Sequence, residues 1–203
     1  VWIVLGALSL VWFVYRISFS TEQKNRKIST HALFVLLVSV VFLLAGGDII
    51  RPVVEKIDIS VVDVRPSWSD TIEVAKNSLK DSPVLGVGPN NFLSQWVKYK
   101  PLSVNQLFFW NQDFNSGVGL IPTFAITTGA LGVVSLLLFL SVIVYLGVLG
   151  LFNKEQGSFN RYIVTSSFVS SVFLWIMAFL YVPSASVLVL TFFFSGIFFA
   201  SLM

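Results

Sequence analysis

Apolar and polar residues follow one another along this chain in long blocks. Residues 1–19 are apolar except for Arg16 near their end, where a long side chain reaches toward an interface. A polar stretch, Ser20 to His31, carries Lys24, Arg26 and Lys27, and a second apolar segment runs from about Ala32 to Gly47. At about 1.5 Å per residue that segment crosses a hydrocarbon core of about 30 Å once a flanking turn is added. From Asp48 to about Ser116 there is no long apolar run. Residues 117–152 are apolar again, but one helix of that length would reach about 54 Å, so the pattern requires a break. Pro122 and the Gly129-Ala130-Leu131-Gly132 cluster supply it, predicting a short interfacial helix near 119–128 and a span at about 130–152. Two more spans, at about 162–181 and 186–203, flank the turn Val182-Pro183-Ser184-Ala185.

The predicted fold class is all-α, a polytopic transmembrane helical bundle with one long external loop containing amphipathic helices. Residues 1–47 form two spans around the loop 20–31. Residues 48–128 form the external loop, with a helix at 68–80 and the interfacial helix, and 129–203 form three spans. The chain opens on Val1, inside an apolar run and without a charged leader, so it is expected to be part of a larger membrane protein.

Composition adds exclusions. Hydrophobic residues make up 56% of the 203 and charged ones 11%, against about 25% charged in a soluble domain. This excludes a typical cytosolic enzyme and a disordered chain, since neither stays dispersed with so much apolar surface. The absence of Cys removes a disulfide scaffold, a thiolate metal site and a cysteine nucleophile, and a single His argues against a zinc site. A net charge of +3, scattered along the chain, is not a nucleic-acid-binding surface. Sidedness is more informative. Arg16 and the short loops hold six basic residues against two acidic ones, Glu22 and Glu155, whereas Asp48 to Asp113 holds seven basic against eight acidic. Excess Lys and Arg in short loops marks the cytoplasmic side, which places the long loop outside, in a periplasm or extracellular space.

Within that loop the clearest unit is Arg65-Pro66-Ser67-Trp68-Ser69-Asp70. Ser67 and Asp70 have capping-box spacing, and Trp68, Ile72, Ala75 and Leu79 recur at helical intervals, predicting an amphipathic helix from about Trp68 that Asp81-Ser82-Pro83 ends. Arg65 precedes the positive pole of that helix. A cation beside exposed backbone N–H groups can cradle a phosphate or pyrophosphate, or the arginine can simply pair with a carboxylate such as Asp63 or Asp70. The next unit, Leu85-Gly86-Val87-Gly88-Pro89-Asn90-Asn91-Phe92, has no strand leading in and no third glycine opening a helix, so it is not a dinucleotide motif. On the residues alone it is a tight turn that sets Phe92 and Trp96 at a membrane surface. Trp96, Tyr99, Phe108, Phe109 and Trp110 form either an interface belt or a platform for stacking sugar rings.

Arg65-Pro66-Ser67-Trp68, then Gly86-Val87-Gly88-Pro89-Asn90-Asn91-Phe92, then Thr127-Thr128-Gly129-Ala130-Leu131-Gly132 at the head of a span form an ordered set. Over about residues 48–135 this set resembles the O-antigen ligase and polymerase-like family of bacterial membrane glycosyltransferases. The resemblance implies an all-helical protein of the bacterial cytoplasmic membrane. Such a protein moves a glycan from an undecaprenyl-diphosphate carrier to a lipid, protein or polysaccharide acceptor on the outer face, with no metal and no other cofactor. It further implies that Arg65 stabilises the diphosphate and that Trp68, Gly86, Gly88, Asn91 and Asn115 bind substrate.

One departure stands out. Ligases of that family carry a His, followed by Asn, Ser or Gln, about eleven residues before the first Gly of Gly-x-x-Gly. Here those positions are Val118 and Gly119, and neither takes a proton. The single His31 falls at the opposite, cytoplasmic end of the second span. Asp113 is the nearest ionisable residue on the external side and the candidate base, with Asp70 and Glu73 as alternatives. Without the His, a non-catalytic relative that binds lipid-linked glycan or a partner protein is the competing expectation. A transporter is disfavoured because the spans hold almost no ionisable residue.

Overall fold

The computed structural model describes residues 2–19, 30–57, 64–107, 110–152 and 157–203. Helices α1 (Trp2–Phe19), α2 (Thr30–Ile57), α3 (Trp68–Asp81), α4 (Phe92–Tyr99), α5 (Leu120–Phe152), α6 (Ser158–Leu180) and α7 (Ala185–Ala200), with a 3-10 turn at Leu102–Gln106, account for the secondary structure of these residues. The fold is all-α. Two compact units divide the chain, residues 1–62 and 63–203.

In the first unit α1 and α2 pack together through small residues. Ser9 and Ser39 are buried, and a Cβ added at Gly6 would come within 3.3 Å of the Ser39 Cβ. Both serines return their hydroxyl protons to their own helices, Ser9 to the Gly6 carbonyl at 2.9 Å and Ser39 to the Val35 carbonyl at 2.7 Å. Helix α2 continues past Gly47, where the charge pattern had placed a boundary, as far as Ile57. The reason is periodic: Ile49, Ile50, Val53, Val54 and Ile57 recur at helical spacing in the sequence, a stronger determinant than the appearance of Asp48 and Arg51. Pro52 lies inside this extension and removes one helical N–H donor.

In the second unit α5, α6 and α7 share a core of Leu120, Leu136, Ile143, Val164, Trp175, Ala178 and Phe198. Buried polar groups join α6 to α7: Ser171 and Ser195 share a 2.7 Å hydrogen bond, and Trp175 Nε1 donates to Ser195 Oγ at 3.2 Å. Hydrogen bonds of this kind between apolar helices contribute about 0.6 kcal/mol each. Ser167, also buried, instead donates to the Ile163 carbonyl of its own helix. Helix α7 starts where the Ser184 hydroxyl accepts the Val187 N–H. Helix α6 starts at Ser158, a turn ahead of the expected 162.

Among the described residues two helical segments, Leu120–Phe152 and Phe159–Leu180, are long and apolar enough to cross a membrane. The basic residues that set the expected orientation fall mostly in 20–29 and 153–156, outside the described residues.

Candidate functional site

The site is built on three segments of the second unit: the start of α3, the glycine turn before α4, and a break inside α5. At the first, Pro66 is buried and Ser67 caps α3. The Ser67 Oγ accepts the Asp70 N–H at 3.1 Å, and Asp70 Oδ2 accepts the Ser67 N–H at 3.3 Å, a complete capping box. Two of the four orphan donors of a helix start are thereby satisfied, which leaves those of Trp68 and Ser69. Arg65 is exposed two residues ahead of the cap. The Asp70 carboxylate already sits at the positive pole, so an anion arriving here would rely on the Arg65 guanidinium more than on the helix dipole.

The buried face of α3 follows the row Trp68, Ile72, Ala75 and Leu79 only in part, with Ala75 buried and Leu79 half-buried. Thr71, Val74, Ala75 and Ser78 are buried, whereas Trp68 and Ile72 are 43% and 42% exposed. Close backbone approach explains the exchange, because small side chains let α3 press against 117–119. A Cβ on Gly117 would overlap the Thr71 side chain and one on Gly119 would overlap the Trp68 ring. Thr71 Oγ1 accepts the Val118 N–H at 3.1 Å while donating to the Ser67 carbonyl at 2.9 Å. The Gly119 N–H donates to the Tyr181 carbonyl at 3.0 Å. Val118 and Gly119 are thus buried packing positions.

Helix α4 seats Phe92 and Trp96, each 1% exposed, in a core with Val74, Ala75, Val104 and Ile126. This corrects the expectation of a surface belt or sugar platform for Trp96: its ring meets Phe114 edge to face, with centroids 5.2 Å apart. Amphipathic α4 needs its two largest rings to cover α3 and α5, and burial wins over interface exposure. Tyr99 is half-buried and Trp110 exposed, while Phe108 and Phe109 lie outside the described residues.

Between α4 and α3 the Lys98 ammonium bonds the Asp81 carboxylate at 2.7 Å, and the Tyr99 hydroxyl donates to the same oxygen. The hydrogen bond from Lys98, then that from Tyr99, holds the Asp81 carboxyl below its ordinary value of 3.8, and Asp81 in turn raises Lys98. A depressed carboxyl stabilises the fold above its unfolded value and loses that contribution as pH falls through its folded value. The melting temperature of the parent should therefore exceed that of Asp81→Asn at neutral pH, and the difference should shrink as pH falls below 3.8 and through the lowered folded value. The gap should be small and should shrink with salt, because both groups are exposed.

The glycine turn docks onto the break in α5. Gly129 adopts φ 66°, ψ −166°, and interrupts the helix between 120–128 and 130–152. Four backbone groups beside the break bond to the turn. The Val87 and Gly88 N–H groups donate to the Ile126 and Thr127 carbonyls at 3.0 and 2.9 Å, and the Ala130 and Leu131 N–H groups donate to the Pro83 and Val84 carbonyls at 2.9 and 3.1 Å. Gly86, at φ +65°, meets Gly129 backbone to backbone, and a Cβ on either would overlap the other's main chain. The Asn91 side chain closes the turn by donating to the Val87 carbonyl at 2.9 Å.

Of the expected site residues, Gly86 is brought against Gly129, Gly88 and Asn91 hold the turn, and Trp68 packs over Gly119. Asp113 and Asn115 are exposed. Sequence reasoning identified both glycine clusters but not their pairing, and it missed Thr71, whose hydroxyl carries no motif. Among the described residues no three His, Cys, Asp or Glu side chains converge as a metal ion would need. The chain matches no family model, no curated protein and no solved structure.

Proposed function

We propose that this chain is the catalytic-loop portion of a multi-pass bacterial inner-membrane glycosyltransferase of the O-antigen ligase or polymerase-like kind, transferring a glycan from undecaprenyl diphosphate to an acceptor on the outer face. The observation that carries this reading is the docking of the glycine turn on the α5 break: two of the three segments behind the resemblance, about forty residues apart, form one unit through four backbone hydrogen bonds. The third, Arg65 to Trp68, lies at the start of a helix packed on α5. Membrane residence is supported by the apolar helices, since only 17% of the most apolar stretch in Leu120–Phe152 and 33% of that in Phe159–Leu180 is buried within the protein. A soluble core helix would be mostly covered.

In the proposed reaction an acceptor hydroxyl attacks the anomeric carbon. The C–O bond to diphosphate breaks, and the diphosphate leaves with the electron pair. The hydroxyl proton goes to a base, for which Asp113 is the candidate. Stabilising the leaving charge is the first requirement, and Arg65 is the residue assigned to it. Trp68, Gly86, Gly88, Asn91 and Asn115 remain the proposed substrate-binding set. In the intact protein with lipid-linked donor, Arg65→Ala should reduce glycan transfer about 10²-fold, and Arg65→Lys should recover only part of it, because the bidentate fork is lost. Transfer at the parental rate by Arg65→Ala would overturn the assignment.

A second reading, a non-catalytic relative that binds lipid-linked glycan or a partner protein, is favoured by the burial of Val118 and Gly119 in packing roles. Glycan transfer by the intact protein would exclude it.

A further inference from the structure

The outer face of α5 and the glycine turn are continuous. Leu131, Leu138, Val142 and Leu149 are all exposed and fall along one line of the helix, a stripe about 27 Å long. That length is close to the roughly 30 Å of a hydrocarbon core. The stripe begins at Leu131, whose N–H is held by the Val84 carbonyl. Val84 and Leu85, at the tip of the turn, are 56% and 71% exposed, although Asp81 and Ser82 precede them and Asn90 and Asn91 follow. A polar turn that projects two aliphatic side chains beside an apolar stripe is unfavourable in water.

The backbone leads to the same place. Within hydrocarbon an open N–H or C=O costs several kcal/mol, so irregular backbone survives at that depth only where its polar groups are satisfied. At the Gly129 break the Ile126 and Thr127 carbonyls and the Ala130 and Leu131 N–H groups are bonded to 83–88.

From these two observations we infer that the turn 83–88 is a membrane-seated strap, with Val84 and Leu85 immersed among lipid acyl chains at the boundary of the leaflet nearest the α5 break. This rests on the membrane reading above and adds a depth to it: the glycine turn of the hydrophilic segment lies at the hydrocarbon edge and brings the start of α4 with it. A lipid-borne substrate would then meet the turn from the side, within the leaflet.

The chain contains no Cys, so single cysteines can be placed without background. Spin-labelled Leu85→Cys, Leu138→Cys and Lys76→Cys forms of the full chain would be reconstituted into phosphatidylethanolamine and phosphatidylglycerol vesicles. Collision rates with oxygen, which concentrates in lipid, and with a nickel chelate, which stays in water, would then be compared. Leu85 should show an oxygen-to-nickel ratio severalfold above that of Lys76 and below that of Leu138. A Leu85 ratio equal to that of Lys76, with Leu138 in lipid, would overturn the strap and leave the membrane reading intact. Low collision rates with both reagents at Leu85 would mean that protein covers the tip, and would overturn it too. Leu138 exposed to water would overturn both. Leu85 is largely exposed, so its substitution leaves the core untouched.

Discussion

Gly129→Ala is expected to lower the stability of the 63–203 unit by an amount on the order of 4 kcal/mol and to release the glycine turn from α5. Two effects combine. The conformation at φ 66°, ψ −166° belongs to a region that is essentially restricted to glycine and costs other residues about 1–3 kcal/mol. A Cβ there also runs into the backbone of Val84 and Gly86, which cannot move without stretching the four hydrogen bonds across the break; each contributes about 1 kcal/mol net. Gly196→Ala is the matched control, because it lies within α7 with nothing within 4 Å of its added Cβ. That change should be neutral or stabilising by up to about 1 kcal/mol. Thermal unfolding in detergent, followed alongside proteolysis at 83–88, would separate them. Equal melting temperatures for the two variants would show that the break is not held by the turn.

Trp96→Ala is expected to cost about 3–5 kcal/mol, the range for removing a large buried aromatic side chain. The indole is 1% exposed and is shared by α3, α4 and the edge of Phe114, so its loss would undermine the seating of α4 as a whole. Trp96→Phe should cost far less than Trp96→Ala. Among the described residues the buried Nε1–H has no hydrogen-bond partner, and deleting an unsatisfied donor returns about 1–3 kcal/mol against the smaller ring's cavity. Chemical unfolding followed by the fluorescence of the other tryptophans would read both variants. Similar losses for Phe and Ala would mean that the indole N–H, and not the ring, holds this core.

Local signals were legible where one segment decided the outcome. The α3 start could be read from Ser67 and Asp70, because a capping box closes within four residues and needs nothing from the rest of the chain. The interruption of 117–152 followed from length alone, and Gly129 is the residue in the cluster that takes a non-helical conformation. Two expectations failed for one shared reason. Asp48 looked like the end of a helix and Trp68 looked like part of the apolar row of α3, yet α2 runs on to Ile57 and α3 leaves Trp68 43% exposed while burying Thr71 and Ser78. In each case residue type was read as location. Periodicity carried α2 forward, and backbone proximity at Gly117 and Gly119 selected small residues for the covered face of α3.

By itself the sequence determined the helical class, the apolar segments and the positions of both glycine clusters, since hydrophobic period, capping and chain reach are local properties. Only the tertiary structure decided that Gly86 and Gly129 face each other, that Trp96 is core, and that Val118 and Gly119 are packing positions. Each of these depends on a partner more than twenty residues away in the chain or on contacts gathered from several helices. The physical reason lies in the break itself: opening α5 frees backbone groups whose identity no side chain reveals, and four of them are bonded by a turn about forty residues upstream.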